Sequence, residues 1–167
     1  ESVPFELVGM IEDIAVNYAS AAHAKGIEVS CFVSPDLPAQ VKGDTKRLGQ
    51  VLLNVVGNAI KFTTHGHVVL EASRVDAYPD ADGVEISVSD TGIGISPEDR
   101  NKIFEPFYRV QESRDRGSGG HGLGLSIAAT AVRRHGGRIT AENADGGVRF
   151  SVILPVGDTK LAQVGRE

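Results

Sequence analysis

Residues 44–63, D-T-K-R-L-G-Q-V-L-L-N-V-V-G-N-A-I-K-F-T, constrain the fold of this chain more than any other stretch. Wound as an α-helix at about 100° per residue, the segment puts Leu48, Val51, Leu52, Val55, Val56 and Ala59 on one side. Asn54, Asn58 and Lys61 then fall within roughly 60° of one another on the opposite side. Such a helix must lay its apolar side on a second layer and turn outward a stripe of two carboxamides and a cation. Asn competes for the backbone and lowers helix propensity, so two of them one turn apart ask for a reason. Amide oxygens can ligate Mg²⁺, and an ammonium can neutralise phosphate. An ordinary solvated face is the other reading, although such faces usually favour Glu and Lys. Asp44 is placed to cap the helix.

The flanking patterns supply the second layer. Residues 4–24 predict an amphipathic helix, with Pro4 near its start, Leu7, Ile11, Ile14, Ala15 and Tyr18 on its apolar face, and Gly26 beyond its end. Residues 27–33 alternate as a strand, and S-P-D-L-P ends it. Residues 68–75 and 84–89 read as strands joined by a polar turn. Ser96-Pro97-Glu98-Asp99 predicts a helix start, with a Ser cap and Pro in the first helical position. Residues 106–121 hold no sustained period and read as a long loop. Residues 123–135 predict a third long helix closed by Gly136-Gly137. Residues 138–143 and 148–154 form a hairpin around D-G-G. The order α-β-α-β-β-α-α-β-β implies an α/β fold, a two-layer sandwich. Its sheet is mixed but mostly antiparallel, of about five strands, and three helices cover one face. Residues 1–156 form one domain and 157–167 a tail.

Two glycine-bearing stretches carry chemistry. In G-S-G-G-H-G-L-G-L at 117–125, Gly117, Gly119 and Gly122 spell a dinucleotide fingerprint, and Gly117 and Gly122 have the outer spacing of a P-loop. The fingerprint needs a buried strand directly before it, and E-P-F-Y-R-V-Q-E-S-R-D-R is not one; the P-loop needs Lys where Leu123 stands. What remains is either a flexible linker or a pliable loop feeding a helix N-terminus, whose free N–H groups and dipole suit an anion. Asp90-Thr91-Gly92-Ile93-Gly94 is either a plain turn or a carboxylate beside a close backbone approach. Such a carboxylate can accept a hydrogen bond from an exocyclic amine such as that of adenine, worth about 1.5–3 kcal/mol for a charged acceptor.

The net charge of -5 argues against nucleic acid as a partner, and the absence of Trp against a base-stacking platform. Cys31 is the sole cysteine, so no internal disulfide forms; it reads as a small core residue, and no Cys/His cluster has zinc spacing. No run approaches the roughly 20 apolar residues of a membrane span, and no signal peptide opens the chain, which points to the cytoplasm. The start at Glu1 without Met fits a piece of a longer protein, which leaves room for a membrane anchor upstream.

Taken in order, these stretches resemble the catalytic ATP-binding domain of sensor histidine kinases, in the superfamily shared with DNA gyrase, the Hsp90 chaperones and MutL. The likeness spans about residues 1 to 156. Residues 44–63 are similar to the family's N box, S-D-T-G-I-G-I at 89–95 to its first glycine box, I-F-E-P-F-Y-R at 103–109 to its F box, and G-G-H-G-L-G-L-S-I at 119–127 to its second glycine box. The resemblance implies a Bergerat-type fold that binds MgATP and passes the γ-phosphate to a histidine, within a two-component system. It implies Asn58 as the Mg²⁺ ligand, Asn54 beside it, Lys61 on the phosphates and Phe62 against adenine. Asp90 would hold the adenine amine, with Gly92, Ile93, Gly94 and Ile95 around the base. Residues 105–121 would form a lid over ATP, anchored by Phe104 and Phe107, with Tyr108 nearby and Arg109 reaching the terminal phosphate. Gly120, His121, Gly122, Leu123, Gly124 and Leu125 would hinge the lid and offer N–H groups to phosphate. Asn54, Lys61 and Arg109 would serve the transfer itself.

Two positions depart from the family pattern. His121 stands where Thr is frequent. Val148 follows Gly146-Gly147 where a Thr can bond the base side, which leaves more of adenine recognition to Asp90 and water.

Position 54 separates this reading from its rivals. The superfamily's ATPases and serine kinases carry Glu there as general base, whereas an amide cannot activate water or a hydroxyl. A purely ATP-sensing module is the third reading, and it has no need of the metal-and-phosphate stripe. His23, His65, His67, His121 and His135 lack the acceptor setting of the family, a His followed at once by an acid on a dimerisation helix. The implied partners are therefore a dimerisation and phosphotransfer domain upstream and a response-regulator receiver, with this stretch itself monomeric.

Overall fold

The structure is a computed structural model and describes residues 2–109, 124–144 and 146–156. In chain order the elements are β1 (Val3–Phe5), α1 (Leu7–Ala24), β2 (Ile27–Val33), β3 (Val41–Gly43), α2 (Thr45–Phe62), β4 (Gly66–Val75), β5 (Asp82–Asp90), a 3-10 turn (Lys102–Phe104), α3 (Gly124–Arg134), β6 (Arg138–Ala144) and β7 (Gly147–Val156). Five strands form one sheet in the order β2-β4-β5-β7-β6. Only β2 and β4 run parallel, because α2 lies between them as a crossover; the other three pairings are antiparallel.

Period-two alternation sorts the sheet into two faces. Across it, Ala72 pairs with Ile86 and Ile86 with Val152, while Leu70 pairs with Val88 and Val88 with Phe150. These rows are buried and meet Val51, Leu52, Val55 and Val56 of α2 in one core. Full burial of such a side chain contributes about 1.5–3 kcal/mol. The α2 helix packs over β4 and β5, with α1 beside β2 and α3 beside β6. The intervening rows face away from the helices and are polar: Glu71 pairs with Ser87, and Ser87 with Ser151. The result is the expected two-layer α/β sandwich, with three helices on one face of a mixed, mostly antiparallel sheet.

Asp44 caps α2 as its type suggests, its Oδ1 accepting from Arg47 N at 3.0 Å. Two local readings change. Residues 3–5 are not the first turn of a helix: they form β1, paired antiparallel with β3. Pro4 suits such a strand, where it need not donate to a ladder. Ser96 does start a turn, accepting from Asp99 N through Oγ at 3.2 Å and from Arg100 N through its carbonyl at 3.1 Å. No α-helix follows, however. Residues 97–101 form turns and only a short 3-10 turn follows, which ends where Pro106 disfavours the helical region for Glu105, extended at ψ 141. Most of the expected loop and the tail, residues 110–121 and 157–167, lie outside the described residues. Among the described residues no helix is long and apolar enough to cross a membrane.

Candidate functional site

The site is built at the end of β5. Asp90 is its last residue, on the helix-facing row, and is only 5 % exposed. Its Oδ1 accepts from Gly92 N at 2.9 Å and from Val148 N at 3.2 Å. Burial pushes the carboxyl above the usual carboxylate range, and the two backbone N–H groups offset only part of that shift. Oδ2 takes no part in these bonds and is the oxygen left for a ligand.

Missing side chains make this geometry possible. A Cβ on Gly92 would stand 2.5 Å from the Phe62 carbonyl oxygen, and one on Gly147 would stand 1.9 Å from the Asp90 carbonyl oxygen. Gly94 adopts φ +75. The 91–95 segment is tied down on both sides. Thr91 Oγ1 accepts from His67 N at 3.1 Å and donates to the His65 carbonyl at 3.1 Å. Asn143 Oδ1 accepts from Ile95 N at 2.7 Å, while its Nδ2 donates to the Ile95 carbonyl at 2.5 Å. Ile93 projects into solvent and Ile95 packs on the core.

The polar stripe of α2 faces the same place. Asn54, Asn58, Lys61 and Phe62 are all half-buried. Asn54 Nδ2 donates to the Gly124 carbonyl at 3.1 Å, which joins α2 to the start of α3. Lys61 Nζ lies 5.3 Å from the centroid of the Phe62 ring. Its ammonium is pushed below the ordinary lysine range, first by burial and second by the positive charge of Arg109. Phe62 reaches the other half of the site through its carbonyl, packed on Gly92. The amide-and-cation stripe and Asp90 therefore belong to one continuous region.

The segment before residue 110 shows a division of labour. Phe104 meets Phe150 edge to face, 6.3 Å between centroids at 87°. Phe107 does not share that packing: it is 73 % exposed and holds φ 64, so of the two expected anchors Phe104 alone is seated on the core. The Tyr108 hydroxyl donates to Asp99, whose other oxygen accepts from Ser96 Oγ at 2.7 Å. Leu125 is half-buried against the core, and Gly124 opens α3. Gly120, His121, Gly122 and Leu123 lie outside the described residues.

Sequence reasoning saw Gly147 and Asn143 only as parts of a hairpin; no local signal ties either to the 90–95 segment. Among the described residues no group of three or more His, Cys, Asp or Glu could hold a metal. The donor set, half-buried amides beside a cation, fits a Mg²⁺ that keeps most of its waters and arrives with phosphate oxygens.

Comparison with known proteins agrees with this geometry. Residues 43–158 match the family described as histidine kinase-, DNA gyrase B-, and HSP90-like ATPase. The sensor histidine kinase GacS of Pseudomonas protegens is 38% identical over 161 residues, which cover 96% of this chain and 18% of that kinase. Full-length ShkA in complex with AMPPNP superposes with a TM-score of 0.81 at 36% identity, over 95% of this chain and 32% of the other. The catalytic domain of histidine kinase ThkA, in a nucleotide-free form, gives 0.75 at 30% identity, over 96% and 99% of the two chains. The chain thus spans less than a fifth of GacS.

Proposed function

The chain belongs to the family of histidine kinase-, DNA gyrase B- and HSP90-like ATPases, and from that premise we propose that it is the catalytic ATP-binding domain of a sensor histidine kinase. It binds MgATP and delivers the γ-phosphate to a histidine on a separate dimerisation domain, from which a receiver domain draws it. The observation that carries the reading is the join between the two halves of the site: the Phe62 carbonyl, at the end of the amide stripe, packs on Gly92, two residues from Asp90.

Each residue then has a physical task. Asp90 accepts from the adenine amine through the oxygen its backbone partners leave open. Gly92 and Gly94 let the base lie against the chain. Lys61 and Arg109 bring positive charge to the phosphates. Asn58 would offer an amide oxygen to Mg²⁺, which would supply positive charge to the phosphates. Asn54 is a neutral amide pinned to Gly124, so it withdraws no proton from water. An imidazole supplies its own nucleophilic nitrogen and needs no such base.

The test is transfer from γ-labelled ATP to a separately supplied acceptor-helix domain, with and without Mg²⁺. Label on the acceptor histidine only with Mg²⁺, and negligible label on this chain alone, is the expected result. Steady phosphate release without an acceptor would make the domain a hydrolase. Tight binding with no transfer at all would make it a sensor of ATP.

A further inference from the structure

The last turn of α2 carries Lys61 and Phe62, directly after Asn58, and is, by its nature, the weakest part of that helix. The final four carbonyls of an α-helix have no partner within it. Here they belong to Ala59, Ile60, Lys61 and Phe62, and each is met from outside the ladder. Thr63 Oγ1 donates back to the Ala59 carbonyl at 2.7 Å. The Phe62 carbonyl is packed on Gly92. The two between them are held by one distant side chain: Lys25 Nζ donates to the Ile60 carbonyl at 2.7 Å and to the Lys61 carbonyl at 3.2 Å.

Lys25 is aimed by its own helix. It is the C-cap of α1, its backbone N–H bonded to the Ala22 carbonyl at 3.0 Å, and Gly26 at φ +74 turns the chain away into β2. The side chain is thereby sent across the α1–α2 contact to the far end of α2. An ammonium suits the task in two ways. It has three donors, so it can bridge consecutive carbonyls, and its charge complements the negative end of the helix dipole. No other side chain bonds these two carbonyls among the described residues.

We propose that Lys25 is a positioning residue for the nucleotide site: by clamping the Ile60 and Lys61 carbonyls it holds the last turn of α2, with Lys61 and Phe62 and next to Asn58, in register with Asp90. The role rests on the reading of this region as the MgATP site. It does not require Lys25 to touch nucleotide. The body of α2 is fixed by Leu48, Val51, Leu52, Val55 and Val56 in the core, so loss of the clamp loosens the end of the helix and not the fold.

Three single variants test it, each measured for MgATP affinity by calorimetry, for melting without nucleotide, and for hydrogen exchange at the amides of Ile60, Lys61 and Phe62. Lys25→Met keeps the length of the stem and removes the donors; it weakens MgATP binding about tenfold and speeds exchange at the three amides. Lys25→Arg can still bridge both carbonyls and stays within about threefold of the unaltered chain. Tyr18→Phe removes a different α1–α2 bond, from the Tyr18 hydroxyl to the Leu53 carbonyl at 3.1 Å, and leaves affinity unchanged. Equal losses in Lys25→Met and Tyr18→Phe would reduce Lys25 to a general packing contact and overturn the proposal. So would unchanged exchange in Lys25→Met, or no rescue by Arg. Failure of the unaltered chain to bind MgATP would instead sink the nucleotide reading, and the exchange data would still decide whether the clamp exists.

Discussion

Asp90 shows how one residue couples burial to recognition. Only one of its oxygens is satisfied by backbone, and the group is taken largely out of water, so its proton is held more tightly than in the unfolded chain. The native state then binds more protons than the unfolded state between the ordinary carboxylate pKa, about 3.9, and the raised one. Stability contributed by Asp90 is therefore greatest at the acid end of that window and declines as pH rises through it. The proposed adenine recognition would run the other way, because only the ionised carboxylate is a full acceptor. Adenosine affinity should decay on acidification at a pH above the usual carboxylate titration. In Asp90→Asn it should be lower by about tenfold or more at neutral pH and lose this pH dependence. Calorimetric titrations across a pH series check both, and an unaltered affinity in the variant would place the base elsewhere. Asp90 itself was legible from D-T-G-I-G. Its tightest neighbour was not: Gly147 is fixed by a contact with a residue fifty-seven positions earlier, whereas D-G-G read locally signals only a turn.

At the level of elements, what the sequence revealed was what local spacing determines. The α2 helix announced its cap, its buried side and its polar stripe, since all three follow from positions within one turn of each other. The β1 strand did not: three residues cannot establish a period, and their partner β3 lies nearly forty residues on. The signal at Ser96 was physically sound, and its turn forms, but only turns and a short 3-10 segment follow, ended at Glu105 before Pro106. The Asn54 stripe was visible as a pattern, while the element it would bind was not, because α3 is brought there only by the folded sheet. That contact yields a prediction for the element pair. Asn54→Asp replaces the amide donor facing the Gly124 carbonyl with a carboxylate, so a 3.1 Å hydrogen bond becomes a repulsion. Hydrogen exchange at the first turn of α3 should rise, MgATP affinity should fall by about tenfold, and β-sheet amides should keep their protection. A variant with faster exchange throughout the domain would show instead that the bond supports the whole core.

For the molecule as a whole, the two-layer plan places its apolar rows under the helices and concentrates the candidate site along one end of that layer, where β5 and α2 finish and α3 begins. The parts that meet there come from separate elements, and each is held by few bonds: Asn54 to Gly124, Phe62 against Gly92, Lys25 to two carbonyls. A nucleotide that bridges Asp90 and the α2 stripe would add contacts at this end of elements that otherwise meet through the core. Binding to the folded state alone contributes about 2.7 kcal/mol at a ligand concentration one hundred times Kd. In a domain of this size each kcal/mol moves the midpoint by about 2–4 °C, so saturating MgATP should raise Tm by roughly 5–10 °C. The rise should shrink without Mg²⁺ if, as proposed, Asn58 ligates a cation that screens the phosphates. It should shrink in Lys25→Met even where the melting of the empty domain is unchanged, because the fold does not need the clamp and the ligand does. Thermal melts of both proteins with ATP, with and without Mg²⁺, measure this directly. Equal shifts in the two proteins would mean that the last turn of α2 is already rigid enough without Lys25.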